Sequence, residues 1–365
     1  MRILHLAVEN FAGIPMRLVH EERRRGHESR LVTLLSPMQK YEEDIALQLP
    51  ALNLPQMKFL RRLVRGTPTE QIVNTRHAGT AKLWQSANML DNLLFRLRDA
   101  AWQPAIRRAL KEIGGLESFD LIIADGGHDF TRFPRLLATT SVPIATVYYG
   151  SDMRTRGIIA GVQEKACFTF TFEHDHTLLF PEAKFLFYPY EAPNYAPFVQ
   201  YQAPIVGESI RIGHAPTNRA AKGTEQILGS LERLKKDFPI EIVLIEKMPH
   251  PEALRTKAQC HLFIDQIGEL GYGVNSLESL AMGIPTAVEL MPDFERFLEN
   301  HSGDEAHPFY TIRRARLDED VRFVLSDIQQ WQNRGRKGKE WVKRHHATEA
   351  VVDTYLECIR NTLAL

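Results

Sequence analysis

Twice along this chain a series of short apolar runs alternates with helical stretches, and that alternation constrains the fold more than any other feature of the sequence. The first series opens with an apolar run at 3–8, a turn at 10–15, a helical stretch to Arg25 and a second run at 29–34 after Gly26. A basic, helical segment at 36–115 intervenes before runs return at LIIA (121–124), PIATVYY (143–149) and CFTFTF (167–172). The second series carries SIRIGHA (209–215), a helix from about Lys222 to Asp237, IEIVLIE (240–246), a short helix from Pro251, HLFIDQ, a helix starting near Asn275 and PTAVEL. Strands joined by helical crossovers pair in parallel, so each series predicts a doubly wound α/β sheet. Between them FYPYEAPNYAP, 187–197, carries three prolines and no hydrophobic period, which marks a linker. The expected division is therefore a first domain at 1–190, a second at 191–340, and a segment 341–365 whose amphipathic helix, 341–362, packs back on the first domain. Ligands of open α/β sheets bind beyond the C-terminal strand ends, so two such halves are expected to face each other across a binding cleft.

Composition narrows the function. The chain has 365 residues, enough for two ordinary domains, with 44% hydrophobic and 25% charged residues, as in globular proteins. Lys+Arg and Asp+Glu both number 45. No global field then attracts nucleic acid, and an anion site has to be assembled locally. Only Cys167, Cys260 and Cys358 occur, which fits a reduced, cytoplasmic setting and neither a disulfide framework nor a zinc cluster. The opening MRILHLAVENF is broken by His5, Glu9 and Asn10, so it reads as a buried first strand and not as a secretory signal. No run approaches the roughly 20 apolar residues of a bilayer span, which leaves peripheral membrane contact as the only kind expected.

Two segments carry the chemistry. GHAPTNRAAKGTEQIL follows a strand and opens a helix, bringing Arg219 and Lys222 and free backbone N–H groups to a place where a diphosphate could sit. The plain alternative is a solvated basic turn. In GELGYGVNSLESLAMGIP, Gly271 and Gly273 allow close backbone approach, Asn275 or Ser276 can cap a helix, and Glu278, one turn in, can accept hydrogen bonds from sugar hydroxyls. A glycine turn of purely structural use is the alternative there. Two anion-ready helix starts about fifty residues apart in one α/β domain favour the functional reading.

HAPTNRAAKGT followed by GYGVNSLESLAMGIPTAVE resembles the donor-binding half of glycosyltransferase family 4, whose members are retaining enzymes of the GT-B fold. The resemblance implies that Arg219 and Lys222 hold the donor diphosphate, that Gly271, Tyr272, Gly273, Val274, Asn275 and Ser276 form the glycine loop, and that Glu278 contacts the ribose. NFAGIPMRL resembles the family's first strand-to-helix loop, which places Gly13 near the donor phosphates, and YYGSDMR resembles its acceptor-side segment. The sequence departs from the family at two positions on the sugar side. Leu270 stands where the first Glu of the E-x7-E motif falls, with Glu269 one residue early, and Tyr149 stands where a histidine precedes the Gly-Ser/Thr segment.

His128 and Asp129, in the loop after LIIA, are candidates to replace that histidine as a proton-relaying pair; an ordinary exposed loop is the alternative. Asp152 and Arg154 are candidate acceptor contacts, with a local salt bridge as the alternative. The basic helices around Lys58, Arg61, Arg62 and Arg65, and around Arg96, Arg98, Arg107 and Arg108, could rest on anionic lipid near a lipid-linked acceptor. A core-packed helix with a solvated face is the commoner outcome for such a pattern.

The expectation is a GT-B protein of two doubly wound Rossmann-like domains, a retaining glycosyltransferase moving a sugar from a nucleotide-diphosphate donor to a carbohydrate or lipid-linked acceptor. No resident cofactor or metal is implied, because Arg219, Lys222 and a helix terminus can stabilise the leaving diphosphate. The alternative from another class is a nucleotide-sugar or carbohydrate-binding protein that has lost transfer, as the residues at 270 and 149 would permit. An epimerase or phosphorylase on the same architecture stays open. A dinucleotide dehydrogenase is disfavoured, because no G-x-G-x-x-G follows a strand.

Overall fold

A computed structural model of the chain describes residues 1–35, 41–47, 49, 81–86, 88–131, 136–150, 152–193, 196–197, 200–205, 207–268, 271–303 and 306–363. Its backbone contacts divide it into two units, Met1–Phe187 with Val351–Leu365, and Tyr188–Ala350.

In unit 1 the strands are β1 (Arg2–Ala7), β2 (Glu28–Thr33), β3 (Ile45–Ala46), β4 (Leu121–Asp125), β5 (Ile144–Tyr148), β6 (Ala166–Thr171) and β7 (Lys184–Phe185). They form one parallel sheet in the order β3-β2-β1-β4-β5-β6-β7. Side chains alternate across a strand, and β1 shows what each face meets. Leu4 and Leu6 join Trp102, Ile106 and Leu110 of helix α2 (Met89–Glu112), while Ala7 packs with Met16 and Val19 of helix α1 (Ile14–Arg24). Burial on both faces explains why β4 reads as an unbroken buried run, LIIAD. Short helices α3 (Ala160–Gln163) and α4 (His174–Leu179) flank β6.

Unit 2 repeats the scheme with another strand order. After β8 (Ile210–His214) come α5 (Arg219–Lys222), α6 (Thr224–Leu234), β9 (Ile240–Leu244), α7 (His250–Lys257), β10 (Leu262–Ile264), α8 (Val274–Ala281) and β11 (Thr286–Val288). There follow α9 (Pro292–Ser302), β12 (Tyr310–Thr311), α10 (Leu317–Ser326) and α11 (Trp331–His345). The parallel sheet runs β12-β11-β10-β8-β9 around a core that includes Ile212, Leu231, Phe263 and Trp331. The helix expected from about Lys222 to Asp237 is α6, and the short turn of α5 stands separately ahead of it. Gly223 takes a left-handed φ of 67° between them, and a Cβ there would lie 2.5 Å from Ile267, so only glycine fits both the turn and the contact.

The single terminal helix expected at 341–362 is two, α11 and α12 (Thr348–Leu363). The break falls at His346, whose fully buried ring donates from Nδ1 to the Tyr188 carbonyl, while its own carbonyl accepts from the Tyr190 amide. A helix running straight through would lose that carbonyl as an acceptor for the strap at 188–190. Burial pulls the His346 imidazole down to about 3, so it stays neutral.

The α11 backbone approaches the turn after α8 closely. A Cβ at Gly335 would lie 1.8 Å from the Gly283 carbonyl oxygen, and one at Gly338 would lie 2.6 Å from Leu280. Gly335→Ala should therefore lift α11 from α8 and cost about 1–3 kcal/mol or more, the range for overpacking. Urea unfolding measures this, and an unchanged midpoint would show that the helix can shift freely. Among the described residues no helix is long and apolar enough to cross a membrane.

Candidate functional site

In each sheet the strand order reverses once, between β1 and β4 and between β8 and β10. Beyond the C-terminal ends of such a pair the connections diverge and leave a crevice. Most candidate residues fall at these two places, while Asp152 and Arg154 follow β5.

In unit 2 the centre is Asp265, the residue after β10, which is fully buried. Its Oδ1 accepts from Lys222 Nζ at 3.0 Å, and its Oδ2 accepts from the Ser276 hydroxyl at 2.6 Å and the Gly273 amide at 3.3 Å. Burial pushes this carboxyl up, but the Lys222 ammonium and the Ser276 hydroxyl outweigh it and hold the group below its ordinary range. Asp265 thus stays ionised and ties α5, the glycine segment and α8 into one frame. Gln266 adds to it, accepting from Lys222 and donating to the Gly271 carbonyl. A Cβ at Gly273 would come within 3.7 Å of Lys222 Nζ, so glycine keeps the space before the ammonium clear. Val274 and Asn275 open α8, and their N–H groups have no carbonyl four residues back in the helix to donate to.

A second buried cluster lies one turn further along α8. Lys257, 1% exposed, donates to the Asn275 side chain at 2.8 Å, to the Asn275 carbonyl at 3.2 Å and to Glu278. The other Glu278 oxygen lies 2.6 Å from His250 Nε2. Burial raises the Glu278 carboxyl, yet Lys257 and His250 more than reverse this and bring it to about 2. Asn275 also donates to the Ala215 carbonyl at 3.2 Å, which fixes α8 to the end of β8. Beneath both clusters His214 donates from Nδ1 to the Ile264 carbonyl, which leaves Nε2 to accept from the Thr224 hydroxyl. Burial lowers its pKa, in keeping with a neutral ring.

Lys222, Gly273 and Ser276 therefore meet on one carboxylate, and Asn275 and Glu278 on one lysine. Arg219 stands apart. Its exposed guanidinium pairs with both oxygens of Glu246 at 3.0 Å and with Glu225 at 2.8 Å. The Tyr272 ring is buried among Phe294, Phe309 and Trp341, so the ring belongs to the core and only its backbone lines the segment. Glu269 and Leu270 lie outside the described residues, as do Lys58, Arg61, Arg62 and Arg65.

In unit 1 Gly13 caps α1 in a left-handed conformation (φ 73°), just beyond β1. The two candidate aspartates have structural occupations. Asp129 is fully buried and accepts from the Thr131, Leu136 and Leu137 amides at 2.9–3.0 Å, which folds its own loop. It makes no pair with His128, which is itself buried. Asp152 accepts from the Tyr149, Gly150 and Met153 amides at 2.8–2.9 Å and shapes the turn after β5. Arg154 makes the local salt bridge, to Asp175 and Glu173.

The ionisable centre of this end is one that sequence reasoning did not select. His5, in the middle of β1 and fully buried, sets Nδ1 2.9 Å from Asp125 Oδ2 and Nε2 3.2 Å from Glu22. Both nitrogens face acceptors, so both carry protons. Burial lowers the imidazole pKa, but Glu22 and Asp125 raise it further, to about 10. Ser29 donates to Glu22, and the half-buried Tyr149 donates from its hydroxyl to Asp125. The chain Ser29–Glu22–His5–Asp125–Tyr149 leads from beneath the sheet to its C-terminal edge, where the Tyr149 ring touches Phe11 and Phe172. Among the described residues no group of three or more His, Cys, Asp or Glu is placed to hold a metal ion.

No protein-family model and no curated protein matches the sequence. Solved structures do match the fold. Sucrose-phosphate synthase from Thermosynechococcus elongatus aligns over 100% of both chains with a TM-score of 0.62 and 11% identity. An alpha-glucosyltransferase in complex with UDP and a mismatched 13-mer DNA aligns over 98% of this chain and 99% of its own, with a TM-score of 0.57 and 12% identity. The glycotransferase of kitacinnamycin aligns over 98% of both chains at 0.50 and 12%. The fold is thus α/β of the GT-B type, the architecture of these glycosyltransferases.

Proposed function

We propose that the chain is a glycosyltransferase that takes a nucleoside-diphosphate sugar at the β8/β10 end of unit 2, and that it is a retaining one. One observation carries the reading: a buried, ionised Asp265 holds Lys222, the Gly273 amide and Ser276 together at the switch point of a GT-B half. An ammonium fixed this way, beside a glycine and the first amides of α8, meets a diphosphate without reorganising, which is the condition for strong electrostatic stabilisation of a leaving group. Glu278 keeps acceptor capacity for ribose hydroxyls beyond its two partners, since a carboxylate offers about four lone-pair sites. No resident cofactor or metal belongs to this reading, and a carbohydrate or lipid-linked acceptor with peripheral membrane contact does.

One observation favours a binding protein that has lost transfer. Asp129 and Asp152, the nearest carboxylates to a sugar-side role by sequence, are committed to backbone amides. Donor turnover separates the two readings, because both bind nucleotide.

Arg219 provides the cleaner binding test, since it is exposed and paired only with carboxylates on the surface. Arg219→Ala should leave the unfolding midpoint and nucleoside affinity unchanged and weaken nucleoside-diphosphate binding roughly tenfold or more, as for a lost charge-assisted hydrogen bond. Calorimetry with UDP, GDP and ADP against uridine, guanosine and adenosine reads this directly. Equal losses for nucleoside and diphosphate would remove Arg219 from the phosphate site; no binding of any nucleotide would overturn the proposal itself.

A further inference from the structure

Arg156 ends the short helical turn, Asp152–Arg156, that follows β5. Its guanidinium donates to two carbonyls, from Nε to that of Gly157 at 3.1 Å and from Nη2 to that of Gly126 in the loop after β4. A guanidinium carries five N–H groups, so three remain, two on Nη1 and one on Nη2. Arg154, two residues earlier, spends its charge on Glu173 and Asp175. Among the described residues no carboxylate makes an ion pair with Arg156. Burial pulls its pKa below the ordinary range, and Asp152, acting through space, offsets this only in part.

Asp152 is held as firmly as Arg156. Its Oδ2 accepts from the Tyr149 amide and its Oδ1 from the Gly150 and Met153 amides, so three of about four acceptor positions are taken and one remains on Oδ2. The two residues border one gap beside Gly126. A Cβ on that glycine would lie 3.5 Å from Asp152 Oδ2 and 3.9 Å from Arg156 Nη1, and among the described residues only these two atoms approach it so closely, its chain neighbours aside. With a φ of 72°, Gly126 sits in the left-handed region that favours glycine, which keeps the gap clear of a side chain. Gly126, Asp152 and Arg156 each keep part of their surface in solvent.

We propose that Arg156 Nη1 and Asp152 Oδ2 hold a hydroxyl of the acceptor between them, and that this acceptor is an uncharged sugar. Two opposite charges, each tied to the backbone, border the gap without touching. A hydroxyl answers both, accepting from the guanidinium and donating to the carboxylate, and both bonds are of the stronger, charge-assisted kind. A phosphate or carboxylate in the gap would face Asp152, and an ammonium would face Arg156. Because three amides and two carbonyls fix the pair before a ligand arrives, little freedom is lost on binding. That the sugar is an acceptor rests on the transferase reading above; that a sugar hydroxyl binds here does not.

Saturation-transfer NMR on the full chain with glucose, galactose, mannose, maltose and lactose, and with glucose 6-phosphate and glucuronate, tests this. A neutral sugar should bind, and more tightly than the anionic ones. Arg156→Met, which keeps the apolar stem without the charge, should weaken that sugar roughly tenfold or more, as for a lost charge-assisted hydrogen bond. Arg156→Lys should fall between, since an ammonium donates but lacks the planar fork. Monodeoxy forms of the bound sugar then locate the hydroxyl. One of them should bind the wild type about tenfold more weakly than the parent sugar, yet bind Arg156→Met no more weakly than the parent does. An arginine of purely structural use would lower all forms alike and leave no such coupling. Urea unfolding checks each variant, and where Arg156→Met does not fold, Arg156→Lys carries the same comparison. Absence of neutral-sugar binding, preference for the anionic sugars that depends on Arg156, or a full loss for every deoxy form in the Arg156 variant overturns the proposal. A wild type that binds such a sugar with this coupling, but no nucleotide, upholds the site and overturns the transferase reading instead.

Discussion

Asp265→Ala should destabilise the protein by about 3–5 kcal/mol, the cost of removing one partner from a buried ion pair. The substitution leaves the Lys222 ammonium, whose side chain is 9% exposed, with its carboxylate gone, and deprives the Ser276 hydroxyl and the Gly273 amide of their acceptor. Urea unfolding gives the loss. The double variant Asp265→Leu with Lys222→Met should recover most of it, because replacing both partners by apolar groups is often close to neutral. That double variant should nevertheless bind no nucleoside diphosphate, which separates the frame's contribution to folding from its contribution to the ligand. A loss below about 1 kcal/mol for the single variant would mean that the pair behaves as a solvated surface bridge.

His5→Ala should cost a similar amount, about 3–5 kcal/mol, for the converse reason: it leaves Glu22 and Asp125 as two buried carboxylates without the cation between them. This effect depends on pH in a defined direction. The imidazole rises from 6.5 in the unfolded chain to about 10 in the fold. Its stabilising contribution is therefore complete below 6.5 and is lost as pH climbs through about 10. The gap in stability between wild type and His5→Ala should accordingly be widest near pH 6 and shrink steadily between pH 7 and 10. A gap independent of pH over that span would show that the ring is neutral in the fold.

Much of the architecture could be read from residues alone, because strand and helix patterning is local. The two alternating series correspond to the two parallel sheets. Residues 219–222 and 271–278 do lie beyond the ends of β8 and β10, since a motif that follows an apolar run has to emerge at the end of that strand. What escaped was pairing across the chain. His5 looked like a polar interruption in an apolar run, and its two carboxylates stand 17 and 120 residues away. Asp265 escaped because an acid is not sought in an anion site. Its use appears only once Lys222 is seen to be buried, 43 residues earlier. Lys257 and His250 are seven residues apart, one face of a helix, and that spacing together with Glu278 would have been the signal for the second cluster. Asp129 and Asp152 pose the opposite case. A carboxylate in a loop after a strand invites a chemical role, and here the neighbouring amides claim it.

The return of α12 to unit 1 has a consequence for the order in which the chain is made. Tyr355 and Ile359 complete the apolar lining over Leu18, Ile123 and Phe170, and the Tyr355 ring lies 6.2 Å from that of Phe170. These partners are separated in the sequence by the whole of unit 2. All of Tyr188–Ala350 is translated in between, which at ordinary rates takes roughly ten seconds or more. During that interval the first sheet stands with part of one face bare, and its closure waits on a helix translated after the whole of unit 2.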